Sequence, residues 1–287
     1  MSEQMRPTLE IGQITVTALL DGAADAGPMA DSFPGAPQDQ ALAYRDRYPG
    51  VFGANDGWHL IVRTWLIRAE GTLILVDTGI GRDGAPGPEW FGSNGRLLEE
   101  LEADGVAPAD VDTVVITHIH DDHLGGTVVA GKPAFPEARY VIQTADISWQ
   151  RELATKSEED HAFWNILLQP LEDAGLLHEI QGDAELVSGV RAQLMPGHTP
   201  GHQVVRVGSG TERLLISGDA FTHPMQLEHP DWTNVSDNDP AGAAASRRKL
   251  ITELGSDPGL LIAPTHFEGP FGRVSPGQDG LSGWRSL

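Results

Sequence analysis

Strands and helices interleave along most of this 287-residue chain, which predicts a mixed α/β (α+β) architecture with large sheets. Three observations carry that expectation. Short, continuous, β-branched runs such as Val114-Val115-Ile116 read as buried strands. Helical periods fall between them, best defined over Ala241 to Leu254, where Asp239-Pro240 supplies the cap and the first-turn residue. The second half also repeats the logic of the first: a pair of strands, a polar turn, a helix and a last buried strand.

In chain order, residues 9–20 alternate well enough for a strand, and Asp21-Gly22 reads as its end. Residues 23–57 show no sustained period and are rich in Gly, Pro, Ala and Asp. A stretch of that kind is a lid, a dimerisation arm or a plain surface insertion. His59–Ile67 and Thr72–Val76 follow as strands, the second ending in Asp77-Thr78-Gly79. After a Gly- and Pro-rich passage at 80–93, a helix starts at Arg96 and stops near Gly105. The run Val111–Ile116 is the next strand, and Arg139–Gln143 another. Asp146–Leu153 and Glu158–Ala174 have helical period, and Gly175 stops the second. Short β-like runs at Leu177–Ile180, Glu185–Val187 and Arg191–Leu194 lead to the strand pair Gln203–Val207 and Arg213–Ile216. Leu260–Ala263 is the last strand read. No composition shift marks a domain boundary, so residues 1–287 are expected to form one domain with 23–57 as a loop or arm.

Composition narrows the partners. Formal net charge is −22, from 41 acidic and 19 basic residues, which argues against nucleic acid and anionic membrane as ligands. No apolar run is long enough to span a bilayer, and Met1 to Pro7 lack the basic and apolar regions of a signal peptide, so a cytoplasmic location is the expectation. There is no cysteine, so any metal must be held by imidazole and carboxylate.

The segment Thr117-His118-Ile119-His120-Asp121-Asp122-His123 carries such groups at high density. It follows a buried strand directly, which delivers its side chains to the edge of a sheet. His118 and His120, two apart, point the same way in extended geometry and can reach one ion together. Gly125-Gly126 then permits a tight backbone where the chain turns. Three further places set a polar ligand just after a strand or turn: His198 in Pro196-Gly197-His198-Thr199-Pro200, Asp219 after Ser217-Gly218, and His266 after Pro264-Thr265. Five histidines and two aspartates suffice for two sites of three ligands plus one shared carboxylate. That set suits Zn²⁺, with Mn²⁺, Fe²⁺ and Co²⁺ as alternatives.

In this order and spacing, His118, His120, Asp122 and His123, then His198, Asp219 and His266, resemble the ligand series of the metallo-β-lactamase superfamily. The resemblance runs from Asp77-Thr78-Gly79 to His266. It implies a four-layer αβ/βα sandwich with internal pseudo-two-fold symmetry. It also implies that His118, His120 and His198 bind one ion and Asp122, His123 and His266 a second, with Asp219 between them. Gly218-Asp219 with His223 four positions on, Asp237 and Asp239-Pro240 leading to Arg247-Arg248, and Thr265-His266-Phe267 with Gly272 look like the lactonase and methyl parathion hydrolase branch. The activity implied is attack of a bridging hydroxide on an ester-like carbonyl, foremost a lactone as in N-acyl homoserine lactonases, with Asp122 or Asp219 passing a proton to the leaving group. A phosphotriesterase or aryl esterase is the alternative, and a non-catalytic metal-binding protein on the same fold a further one. The expected partner is a small-molecule ester or lactone, with a homodimer as one reading of residues 23–57.

N-acyl homoserine lactonases often carry a tyrosine shortly after the bridging aspartate; Phe221 or His223 stands at the comparable place here. His223 is therefore either a catalytic residue that donates to substrate or the cap of a loop. Asp121 is read as supporting rather than coordinating, His202 as orienting its turn through a hydrogen bond, and Asp77 and Thr78 as partners of the ligand histidines. Trp90, Phe91, Trp232 and Phe267 form either a substrate wall or core. His59, His161, His178 and His229 are read as surface or packing residues.

Overall fold

The computed structural model describes residues 6–276 and 282–287. Its first sheet joins β1 (Thr8–Ile11), β2 (Ile14–Pro28), β3 (Gly57–Ala69), β4 (Thr72–Val76) and β5 (Thr113–Val115). A two-stranded hairpin follows, of β6 (Val128–Val129) and β7 (Lys132–Pro133), and then β8 (Arg139–Gln143) and β9 (Leu177–Ile180) complete the first sheet in the order β1-β2-β3-β4-β5-β8-β9. The second sheet runs in sequence order through β10 (Ala184–Val187), β11 (Val190–Leu194), β12 (Gln203–Ser209), β13 (Glu212–Ile216), β14 (Leu260–Ala263), β15 (Gly272–Pro276) and β16 (Ser282–Ser286).

The sheets pack face to face through Val16, Trp65, Ile67 and Val76 from the first and Val205, Val207, Ile216 and Phe271 from the second. On its other face the first sheet is covered by the helices Leu97–Ala103, Thr144–Leu153 and Glu158–Leu167, through Leu101, Ile147, Trp164 and Leu167. The second is covered by the helix Pro240–Ser256 through Leu250 and Leu254. Helix, sheet, sheet, helix is the expected four-layer sandwich. That long helix begins as read: the Asp239 carboxylate accepts the Gly242 N–H at 3.0 Å, and Pro240 takes the first helical position.

The half-repeat has a topological basis. In the first sheet β3 and β4 are antiparallel, and β4 then pairs in parallel with β5. In the second, β12 and β13 are antiparallel, and β13 pairs in parallel with β14. Parallel neighbours end at the same edge, so the residues after β4, β5, β13 and β14 gather there.

Two readings of the chain need correction. The strand does not end at Asp21-Gly22; β2 continues to Pro28, with its pairing to β3 shifted between Leu20 and Gly22. This bulge turns Asp21 inward, where its carboxylate accepts the N–H groups of Ile80 (2.7 Å) and Leu97 (2.8 Å). Nor is 23–57 without structure. It holds the end of β2 and the short helices Met29–Ser32 and Gln38–Leu42, and it buries Met29, Phe33, Tyr48 and Val51. The hairpin of β15 and β16, rich in Gly, Ser and Pro, gave no strand signal in the sequence.

Candidate metal centre

The strand ends deliver their ligands to one place. His118 and His120 follow β5 where the chain bends, His120 itself in extended backbone, and Asp122 and His123 lie on the single helical turn Asp121–Leu124. His198 follows β11, Asp219 follows β13 and His266 follows β14. The turn below His123 depends on glycine for space: a Cβ on Gly125 would stand 2.2 Å from the Ile80 carbonyl oxygen. At Gly197 the backbone has φ 136°, and a Cβ would lie 2.2 Å from the Ala243 nitrogen, so this glycine seats the His198 turn on the long helix.

In the first triad, His118 Nε2 and His198 Nε2 each lie 3.1 Å from His120 Nδ1. The far nitrogens of two of these rings are already engaged. His118 Nδ1–H donates to Thr117 Oγ1 at 3.0 Å, and His198 Nδ1–H to Asp237 at 2.9 Å. The inward Nε2 atoms therefore carry lone pairs. In the second triad, Asp122 Oδ2 lies 3.6 Å from His123 Nε2 and 3.7 Å from His266 Nε2. His123 Nδ1–H donates to Asp77 at 2.8 Å and His266 Nδ1–H to the Ile61 carbonyl at 2.7 Å. Asp219 stands between the triads. Its Oδ1 is 3.3 Å from His123 Nε2 and 2.9 Å from His266 Nε2, whereas its Oδ2 is 3.4 Å from His198 Nε2.

These residues fit a pair of cations. Three ring nitrogens converge at 3.1 Å, and bonds of ~2.0–2.1 Å at tetrahedral angles put imidazole nitrogens roughly 3.3 Å apart, close to that spacing. His123 Nε2 and Asp219 Oδ1 are buried with no hydrogen-bond partner among the described residues. Each triad, and the trio His118, His123 and Asp219, has its ligand atoms within 4.8 Å of one another.

The surroundings set the charges. Burial, and then the neighbouring imidazoles, hold His118 and His120 well below the ordinary histidine value. Burial also opposes charge on His123 and His266, but Asp219 and Asp122 outweigh it and raise both. Burial alone would raise Asp219; His266 and His123 instead hold it well below the carboxylate range.

Several supports behave as the sequence suggested. Asp77 accepts the Thr117 N–H (2.7 Å), the Thr117 hydroxyl (2.8 Å) and His123 Nδ1–H, from a left-handed backbone with φ 62°. Thr78 holds the His123 carbonyl with its N–H at 2.6 Å and its hydroxyl at 3.2 Å. His202 donates from Nδ1 to the Met195 carbonyl and accepts the Asp219 N–H at Nε2 (3.0 Å), so it orients the shared aspartate as well as its own turn. Others were missed. Asp146, which reads in sequence as the start of a helix, accepts the N–H groups of Ile119 and Gly201 and the Thr199 hydroxyl, tying the two histidine turns together. Arg247 holds Asp237 through two bonds of 2.9 and 2.7 Å, which fixes the His198 ring behind it.

A profile described as the metallo-beta-lactamase superfamily matches residues 57–266, from β3 to the last of these ligands. The chain belongs to the metallo-β-lactamase superfamily. A probable metallo-hydrolase of Mycobacterium tuberculosis is 29% identical over 192 residues, covering 60% of this chain and 60% of that protein. An N-acyl homoserine lactonase of a Bacillus species is 30% identical over 187 residues, 60% of this chain and 69% of the lactonase. The match thus spans less than two thirds of the mycobacterial relative. Among solved structures, the hydrolase AbOPH superposes with a TM-score of 0.84 at 24% identity, over 98% of this chain and 97% of its own. AidC, described as a dizinc quorum-quenching lactonase, gives 0.81 at 24% identity over 98% and 97%. At that identity the two structures speak for the fold.

On this metallo-β-lactamase scaffold the ligands His120, Asp122, His198, Asp219 and His266 floor a cleft of about 330 Å³. Its walls come from distant parts of the chain: Ala26 and Ser32, Trp58 and Leu60, Trp90, and Asn234 to Ser236. Of the aromatic candidates only Trp90 lines it, with its indole N–H donated to Asp121; Phe91, Trp232 and Phe267 are core. Asp121 faces the cleft and accepts from Trp90 there. His223 is not in the cleft wall. It is fully buried between Phe33 and Phe52, its Nδ1 accepts the Met225 N–H at 3.2 Å, and burial lowers its pKa to about 3. Its neighbour Thr222 faces the cleft instead, so the geometry is that of a loop cap and not of a donor to substrate. His59 pairs with Asp25 and His229 stacks on Trp232, as bland readings require.

Proposed function

We propose that this chain is a dinuclear metal-dependent hydrolase that opens an ester-like carbonyl, foremost a lactone. The observation that carries the reading is Asp219, whose two oxygens face different ligand triads at the floor of one cleft. Two divalent ions, Zn²⁺ foremost, would supply an acidified water and a Lewis-acid contact for the carbonyl oxygen. The chain's residues do the rest. The triads fix where attack occurs, and the hydrogen bonds at Nδ1 hold His118, His123, His198 and His266 in the tautomer that turns Nε2 inward. Asp122, which lines the cleft, carries a proton to the departing oxygen.

The cleft wall also supports an uncharged substrate. No lysine or arginine lines it among the described residues, while Asp121, Asp122 and Asp219 do, so it offers an anionic substituent no ammonium or guanidinium partner. A second reading, hydrolysis of phosphotriesters or aryl esters, draws on the same wall. No tyrosine lines the cleft among the described residues, and substrates with acidic leaving groups need no such proton donor. The deciding experiment is turnover of acyl lactones of varied chain length, aryl esters and a phosphotriester by one metal-quantified preparation. Lactone turnover at least about tenfold above the others supports the first reading; the reverse order supports the second. No turnover of any of them with two ions bound would reject hydrolysis.

A further inference from the structure

We propose that Arg63, in the middle of β3, is a positioning residue for the second triad, because its guanidinium holds the turn that carries His266. Arg63 follows the apolar run Leu60-Ile61-Val62 of that strand and is 8% exposed. It donates to the carbonyl oxygens of Thr265 (3.4 Å), Phe267 and Glu268 (3.0 Å), which bracket His266. Burial pulls its pKa down to about 10, with no carboxylate among the described residues to offset that.

A buried cation and inward-facing carbonyls are each costly alone. Here they satisfy one another, so the shape of the turn depends on the guanidinium fork. Two residues earlier in the same strand, the Ile61 carbonyl accepts His266 Nδ1–H at 2.7 Å. The strand therefore fixes both the ring of His266, through Ile61, and its backbone, through Arg63. The Glu268 carboxylate adds a third tie by accepting the Gly50 N–H at 2.8 Å. The turns that present His118, His120 and His198 make no bond to Arg63 among the described residues. Loss of the guanidinium should act on one half of the centre.

The inference rests on the two-ion reading above, and its test counts ions rather than turnover. The full chain and the variants Arg63→Lys, Arg63→Gln and Arg63→Met are loaded with Zn²⁺. Bound ions per chain are counted by native mass spectrometry, and both affinities are measured by competition with a chromogenic chelator. The expected result is two ions in the unmodified chain. In Arg63→Met and Arg63→Gln the second ion should be weakened about 10- to 100-fold and the first changed less than about twofold, with partial recovery in Arg63→Lys. Lysine keeps the charge without the fork, so full recovery there would mean that charge, not positioning, acts, and would overturn the assignment. So would equal weakening of both ions, or a second ion bound within about threefold of the unmodified chain in the variants that fold. Should Arg63→Met not fold, the glutamine and lysine variants decide the matter by the same criteria. An unmodified chain that binds one ion defeats the two-ion reading and this inference together. Two ions bound equally well throughout defeat this inference alone.

Discussion

The two triads differ in charge before any ion arrives. His118, His120 and His198 are three imidazoles, and burial holds His118 and His120 neutral, with no proton there to displace. In the other triad, Asp122 and the shared Asp219 favour protonated His123 and His266, so an ion must expel protons to bind there. Imidazoles and carboxylates at neighbouring strand ends of the two sheets thus make a site open to cations and a site guarded by protons.

The largest effect should come from residues that define the centre. His118→Ala or Asp219→Ala should lower turnover by roughly 10³-fold or more, since several kcal/mol of transition-state stabilisation depends on the ions. Asp219→Ala should also disturb both ions, whereas His118→Ala should spare the second; elemental analysis showing full occupancy in both variants would break the assignment. A smaller change is expected from Asp237→Asn. The amide can still accept from His198 but lacks the charge that Arg247 now holds in place. A roughly tenfold loss of affinity confined to the first ion is the expected outcome of a chelator titration.

Acidity should separate the triads without mutation. The raised values of His123 and His266 place proton competition above the ordinary histidine value of 6.5, and the lowered values of His118 and His120 place theirs well below it. As pH falls, the second ion should leave first, and ion counts after dialysis at stepped pH would refute this if the two left together or in the other order. The mildest effect concerns the cleft wall. Trp90→Phe keeps an aromatic face but cannot donate to Asp121, so KM should rise a few-fold with kcat and metal content unchanged; an unchanged KM would remove Trp90 from substrate contact.

The ligands were legible because each follows a strand or a Pro/Gly turn, where a titratable residue has no packing role. Leu260–Ala263 was legible as a brief apolar run between turns, and Arg139–Gln143 and Leu177–Ile180 as brief runs with apolar residues between turns. What stayed hidden were polar residues in positions with a commonplace reading. Asp21 before Gly22 looks like a turn, yet a bulge carries it into the core. Asp146 looks like a helix cap, yet it joins the loops of His120 and His198. Arg63 looks like the polar face of a strand. Each makes its partners far along the chain, and no local period encodes that. The cleft wall was out of reach too, since Ala26, Trp58, Trp90 and Val235 meet only in three dimensions.

Asp77 lies beneath both triads at once. One carboxylate takes the proton of His123 directly and that of His118 through the Thr117 hydroxyl. A cation that withdraws electrons from either ring strengthens that ring's grip on Asp77 and loosens the other's. Two ions bound in these triads would therefore be thermodynamically linked through a residue that touches neither, and linkage is reciprocal: whatever the first did to the affinity of the second, the second would do to the first.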